Sequence, residues 1–70
     1  MGINKNRVIE ALSESGEVTP YRIEVDATGG EVVLKGIVPS PEERERAEEI
    51  ATEVPGVSRV TNRLRVGELI

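Results

Sequence analysis

The apolar side chains between Gly30 and Val66 change their spacing twice, and this constrains the fold more than any other feature. Residues 31–38 have Val32, Leu34 and Val38 on one parity, which we assign to the core because Lys35 is on the other, and Val60, Leu64 and Val66 share one parity in residues 57–66. A period of two is that of a β-strand. Between them, Ser40 opens a Ser-Pro-Glu-Glu capping box with proline at the first helical position, so a helix is predicted to start there. The predicted buried stripe of this helix is Ala47, Ile50, Ala51 and Val54. The segment therefore indicates a strand, a helix and a second strand.

The residues before this segment add another helix and another strand. Asn4 is a predicted N-cap, and Gly16 can take the left-handed conformation that ends a helix. Residues 21–28 alternate with a period of two, which predicts a strand. Gly29 and Gly30 then supply the positive φ angles that a tight hairpin needs. The predicted buried stripe of the first helix is Val8, Ile9, Ala11 and Leu12.

The order helix, strand, strand, helix, strand predicts an α+β fold formed by one small αββαβ domain. The glycine hairpin makes the first two strands antiparallel. The helix that starts at Ser40 is a crossover, which should be right-handed and set the third strand parallel to the second. Both helices can then pack on one face of a three-stranded mixed sheet and leave the other face bare. We assign residues 1–70 to a single domain with a core of about 4–66, and its short ends also fit a domain cut from a longer protein.

The composition excludes several functional classes. The chain has no cysteine and no histidine, which removes disulfides, thiolate metal sites and the usual general base. We therefore expect no metal ion and no cofactor. Tyr21 is the only aromatic residue, so a base-stacking platform for single-stranded nucleic acid cannot be built. The formal net charge of −4 likewise argues against a general nucleic-acid binder.

Neither a membrane span nor a signal peptide is visible in the sequence. No stretch approaches the roughly 20 apolar residues that cross a bilayer, and residues 1–6 lack an apolar core. We expect a cytoplasmic protein if the chain is full length. If it is excised from a secreted parent, we expect a periplasmic or membrane-associated location.

Four positions have predicted structural roles. One of them is Ser40, the cap of the second helix. Gly36 shares the parity of the apolar residues assigned to the core, where the missing side chain would let a helix backbone come close. A β-bulge at Gly36 is the alternative. Gly56 is predicted to end the second helix. Asn62 falls on the inward parity of the third strand, where a buried amide must be hydrogen-bonded, so we expect it to tie this strand to a neighbouring loop or helix end.

The bare face of the predicted sheet carries a basic row. Arg59, Arg63 and Arg65 alternate along the third strand and point the same way, and Lys35 can lie beside them on the second strand. The long helix displays glutamates, so the molecule is predicted to be electrically polarised. Such a basic face suits phosphate head groups or an acidic protein surface. Alternatively, the charges protect an edge strand from aggregation, and both interpretations stay open.

No group of residues indicates catalysis. Glu24 and Asp26 point the same way on a predicted strand, but two carboxylates form a weak cation site and no further ligand is evident. Gly29 and Gly30 lack the spacing of a phosphate-binding loop. The serines have no histidine partner, and Ser40 is already assigned as a cap. We expect a protein that is not an enzyme.

Two motifs and the helix between them follow the pattern of a known family. They are Val32-x-Leu34-x-Gly36-x-Val38, the charged helix with Ala47 and Ala51, and Pro55-Gly56-Val57-x-x-Val60-x-Asn62-x-Leu64-x-Val66. From about Val8 to Val66 the chain resembles a BON domain. The resemblance implies an αββαβ fold and a proposed role in binding phospholipid or attaching to membranes. It also suggests a bacterial setting of osmotic stress, because the family includes osmotically induced periplasmic proteins and outer-membrane lipoproteins.

Three functional hypotheses follow. The first is a membrane-associating module that binds anionic phospholipid through Arg59, Arg63 and Arg65 with help from Lys35. The second is a protein-interaction module that pairs through the open sheet face or an edge strand. The third, a small nucleic-acid binder, is disfavoured by the net negative charge and the missing aromatic residues. The oligomeric state is left open.

Overall fold

Five elements follow one another in the predicted order. The structure is a computed structural model that describes residues 4–16 and 23–67. Its elements are α1 (Lys5–Ser15), β1 (Ile23–Thr28), β2 (Glu31–Val38), α2 (Pro41–Glu53) and β3 (Arg59–Val66). The predicted start of the first strand, at Tyr21, lies outside the described residues.

The first helix, α1, has a polar cap at one end and a glycine at the other. The Asn6 N–H donates a hydrogen bond of 2.9 Å to Asn4 Oδ1, so Asn4 is the N-cap. Gly16 follows the helix with a φ of 69°, in the left-handed region. On the predicted stripe, Val8 and Leu12 are fully buried, while Ile9 and Ala11 pack partly against the core.

The hairpin between β1 and β2 is packed against the segment that leads into β3. Gly29 and Gly30 have φ angles of 56° and 89°, which the tight turn requires. A Cβ atom on Gly30 would lie 3.0 Å from Ser58 Oγ and 3.2 Å from the Gly56 carbonyl oxygen. The Ser58 N–H donates to the Gly30 carbonyl at 2.8 Å. The turn therefore holds the start of β3 in place.

The second helix, α2, is defined at both ends by its own sequence. The Glu43 N–H donates to Ser40 Oγ at 3.3 Å, so Ser40 is the N-cap. At the other end Val54 is extended, and its N–H donates to the Ala51 carbonyl at 3.3 Å. Gly56 then turns the chain with a φ of 95°. The predicted stripe of Ala47, Ile50, Ala51 and Val54 is buried.

The sheet has the predicted topology. Its order is β1-β2-β3, with β1 antiparallel and β3 parallel to β2. The α+β fold with a three-stranded mixed sheet and two helices is confirmed. Both helices lie on one face, since α1 contacts β1, α2 contacts β2 and β3, and the helices contact each other. From the strands, the core contains Ile23, Val25, Val32, Leu34, Val38 and Leu64.

The edge strand β3 is less buried than its apolar alternation suggests. Leu64 is buried and Val60 is half-buried, but Val66 is 47% exposed. Val66 is the last residue of a strand that has a neighbour on one side only. An edge strand has fewer atoms packed around its end than a central strand, which accounts for the difference.

Gly36 lies on the covered face, but its backbone adds a reason that the sequence did not show. It sits directly opposite Ile23 on β1 and Leu64 on β3. The ladder between β2 and β3 continues in register past Gly36, so there is no bulge between these two strands at this position. Its φ of 134° lies in a region that side chains rarely adopt, so a glycine is needed for backbone reasons. The close helix approach that we expect at Gly36 stays a prediction.

Candidate functional site

The face of the sheet opposite the helices, called the open face here, has mostly polar and charged side chains. Its side chains alternate with the core residues along each strand, and most are exposed. The members are Glu24, Asp26 and Thr28 on β1, Glu31, Val33, Lys35 and Ile37 on β2, and Arg59, Thr61, Arg63 and Arg65 on β3. The three arginines and Lys35 therefore share one face, which is the arrangement that the alternation predicts.

The charges of the open face are sorted by strand. Glu24 and Asp26 make the β1 side acidic, whereas the β3 side carries arginines. The pairing register places Lys35 directly beside Glu24 on one side and Arg63 on the other. The face is therefore polarised across the strands, from acidic at β1 to basic at β3.

The four predicted basic residues are not equivalent. Lys35 Nζ lies 3.8 Å from Asp26 Oδ2, and an Arg59 guanidinium nitrogen lies 4.0 Å from Glu31 Oε2. Within the described ranges, Arg63 and Arg65 make no ion pair. Both observed pairs are largely exposed, and such pairs contribute only about 0–1 kcal/mol. Of these four residues, Arg63 and Arg65 are thus the two without a competing carboxylate among the described residues.

An exposed apolar side chain lies beside these arginines on the open face. Ile37 is 38% exposed and pairs with Arg65. With Arg63 and Arg65 it forms a basic and apolar corner where β2 and β3 end. Val66 pairs with the buried Val38 and has the parity of the covered face. No role was expected for Ile37 from the sequence. The signal that could have found it is an apolar residue two positions after Lys35, on the outward parity of β2.

Asn62 connects β3 to α2, but it is not buried. Its Nδ2 donates to the Arg44 carbonyl at 3.0 Å, and its Oδ1 accepts from the Leu64 N–H at 3.0 Å. The expected tie is therefore present and reaches the N-terminal part of α2. The expectation of burial is wrong, because Asn62 is only half-buried on an edge strand.

Arg44 closes the same edge from the helix, a contact that no sequence pattern indicated. Its Nε donates to the Leu64 carbonyl at 2.9 Å. The N–H and the C=O of Leu64 are thus both bonded to side chains. This blocks the middle of the β3 edge against pairing with another strand. The arginines of β3 stand instead on the open face, perpendicular to the sheet.

Two concave regions lie beside α2. An open groove of about 520 Å³ lies between α1 and α2, with Ala11, Ile50 and Val54 in its lining and charges of both signs around them. A smaller one beside Asn62 is lined by Arg44, Glu45, Glu48 and Glu49. Among residues 4–16 and 23–67, no three acidic side chains are grouped to hold a metal ion.

Comparison with protein families identifies the fold. The family model of the BON domain matches residues 3–68, which is nearly the whole chain. The chain belongs to the BON family. The resemblance drawn from the strand motifs is thus confirmed. No match was found among curated proteins.

Membership of the BON family fits a membrane- or phospholipid-binding module in general. No helix in the described part of this BON domain is long and apolar enough to cross a bilayer.

Proposed function

We propose that this BON domain is a non-catalytic module that binds anionic phospholipid membranes through its open face. Arg63 and Arg65 are the principal contacts, and Arg59 and Lys35 assist them. One observation carries the proposal: Arg63 and Arg65 are exposed and have no ion-pair partner in the described ranges, and Arg65 lies directly opposite the exposed Ile37. Guanidinium groups bind phosphate oxygens through two parallel hydrogen bonds, which makes arginine well suited to head groups.

The two other cations contribute less because each has a carboxylate of its own. To bind a phosphate, Lys35 must leave Asp26 and Arg59 must leave Glu31. Exposed pairs of this kind are weak, so the exchange is feasible at a surface of high negative charge. Each basic residue near an anionic membrane is worth about 1 kcal/mol, and two to four of them give weak binding.

The net charge of −4 does not prevent the open face from facing an anionic membrane. The acidic residues Glu45, Glu48 and Glu49 belong to α2, which covers the opposite face of the sheet. Screening over about 10 Å at 0.1 M salt weakens their repulsion when α2 points away from the bilayer. The exposed side chain of Ile37 can contact the apolar part of the membrane interface, which adds to the attraction.

Absence of catalysis is part of the proposal. The chain contains neither histidine nor cysteine. Ser40 Oγ caps α2, and Ser58 Oγ donates to the Gly30 carbonyl at 3.2 Å. These two hydroxyls therefore have structural partners, and the chain has no histidine to activate them.

Co-sedimentation with vesicles tests the proposal. Wild-type protein should sediment with vesicles containing anionic phospholipid, remain in the supernatant with neutral vesicles, and be released by added salt. The variant Arg63→Ser/Arg65→Ser should lose this binding. The matched control is Lys5→Ser/Arg7→Ser, which removes the same charge from exposed positions of α1 and should still bind.

Two results would overturn the proposal. One is equal sedimentation of the wild type and the Arg63→Ser/Arg65→Ser variant, and the other is no sedimentation with anionic vesicles at all. The rival hypothesis of a protein-interaction module predicts a stoichiometric partner and no dependence on lipid charge.

A further inference from the structure

The polarity of the open face makes it complementary to a copy of itself. Glu24 on β1, Lys35 on β2 and Arg63 on β3 lie side by side in one row across the sheet. In the described part of the chain, neither Glu24 nor Arg63 has an ion-pair partner. The row therefore ends in a free negative charge on one side and a free positive charge on the other.

In such a contact the central strand would lie over its own copy, and each of its two charged residues has an oppositely charged neighbour that offsets the repulsion between like charges. Lys35 pairs with Asp26 on the β1 side, and Glu31 pairs with Arg59 on the β3 side. The apolar side chains of β2 on this face are Val33, which is half-buried, and Ile37. A second sheet placed over β2 would meet these two apolar side chains on either side of Lys35.

A two-fold axis parallel to β2 brings the complementary charges together. Such an axis places β1 of each copy over β3 of the other while every row keeps its position along the strands. Glu24 then faces the partner's Arg63, and Arg63 faces the partner's Glu24. A two-fold axis across the strands would instead place β1 over β1 and bring like charges together. Contacts between identical patches of this type are the commonest in homodimers.

We propose that the open face is a self-association surface whose partner is a second copy of this chain, packed sheet to sheet about an axis along β2. The contact is small. Three strands about 4.8 Å apart and roughly 20 Å long give a face of roughly 300 Å², well below the ~800 Å² per partner of a stable complex. The dimer is therefore weak, concentration-dependent and sensitive to salt.

This inference goes beyond the proposed membrane contact and does not rest on it. The two share Arg63, so a bilayer and a second copy compete for the same face. Self-association is accordingly tested in buffer without lipid.

Sedimentation velocity over a concentration series up to the millimolar range tests the proposal by charge exchange. Wild-type protein should dimerise, and each single reversal, Glu24→Arg or Arg63→Glu, should weaken the dimer by about tenfold or more, because it turns two attractions into two repulsions. The double variant Glu24→Arg/Arg63→Glu should recover the dimer. An equimolar mixture of the two single variants should form a heterodimer.

The control Arg7→Glu, on the exposed side of α1, should dimerise like the wild type. Far-ultraviolet circular dichroism checks that every variant is folded. A wild type that stays monomeric throughout the series, or a double variant no better than the single ones, would overturn the proposal. The variant Arg65→Ser separates the two proposals, because it removes a principal contact for anionic vesicles and leaves the Glu24–Lys35–Arg63 row intact.

Discussion

On the covered face of the sheet β2 contributes Val32, Leu34 and Val38, which are buried, whereas on the open face the same strand contributes Lys35 and Ile37, which are exposed. The covered face depends on shape and volume, because its side chains interlock with two helices. The open face depends on the placement of charge. Substitutions should therefore separate cleanly: those on the covered face change stability, and those on the open face change binding.

The largest effect is expected from Leu34→Ala. Leu34 is fully buried in the central strand, and removing its side chain should cost about 2–5 kcal/mol of unfolding free energy. A domain of this size has only about 3–5 kcal/mol in total, so much of the protein should be unfolded. Urea denaturation followed by circular dichroism measures this. The neighbouring Lys35→Ala, on the open face, should stay within about 0.5 kcal/mol of wild type.

Gly36 comes next, and two substitutions distinguish why the glycine is there. Its φ of 134° predicts a cost of roughly 1–3 kcal/mol already for Gly36→Ala, because any Cβ is strained in this region. If close helix packing were the only reason, Gly36→Ala would be mild and Gly36→Val costly. Thermal melts compare the two variants. If both variants melted at the wild-type temperature, both explanations would be wrong.

The matched control for Gly36 is Gly67→Ala. Gly67 has no positive φ, and an added Cβ would meet Ile37 Cγ2 at 3.5 Å, an ordinary contact. This variant should melt within a few degrees of the wild type.

Asn62→Ala should have an intermediate effect, because it breaks the side-chain connection between β3 and α2. The variant loses the hydrogen bond that Asn62 donates to the Arg44 carbonyl and the one that it accepts from the Leu64 N–H. We expect the unfolding free energy, measured by urea denaturation, to fall by about 1–2 kcal/mol. Thr61→Ala is the neighbouring control and leaves both bonds intact. If Asn62→Ala and Thr61→Ala unfolded at the same urea concentration, the connection would have no role in stability.

How much was predictable from the sequence differs between the two faces. The alternation of Val32, Leu34 and Val38 and the cap at Ser40 predicted the covered face, because each is a local pattern with one physical reading. Which cation is free on the open face was not predictable. The pairing of Lys35 with Asp26 depends on register between strands, and that of Arg44 with Leu64 joins residues far apart in the chain.

The smallest change in stability is expected from Arg63→Ser/Arg65→Ser. Both side chains are exposed and make no ion pair with the described residues, so urea denaturation should differ from wild type by less than about 0.5 kcal/mol per residue. A larger loss would show that these arginines stabilise the fold, and the separation of the two faces would then be wrong.

The central claim, that the open face and not the helix side meets an anionic membrane, is tested most directly by single tryptophan reporters. The chain has no tryptophan, so Ile37→Trp on the open face and Glu48→Trp on α2 each give one clean signal. With anionic vesicles containing a quencher-labelled lipid, the Ile37→Trp fluorescence should shift to the blue and be quenched, while that of Glu48→Trp should not change. Quenching of Glu48→Trp alone, or of both reporters equally, would contradict the account.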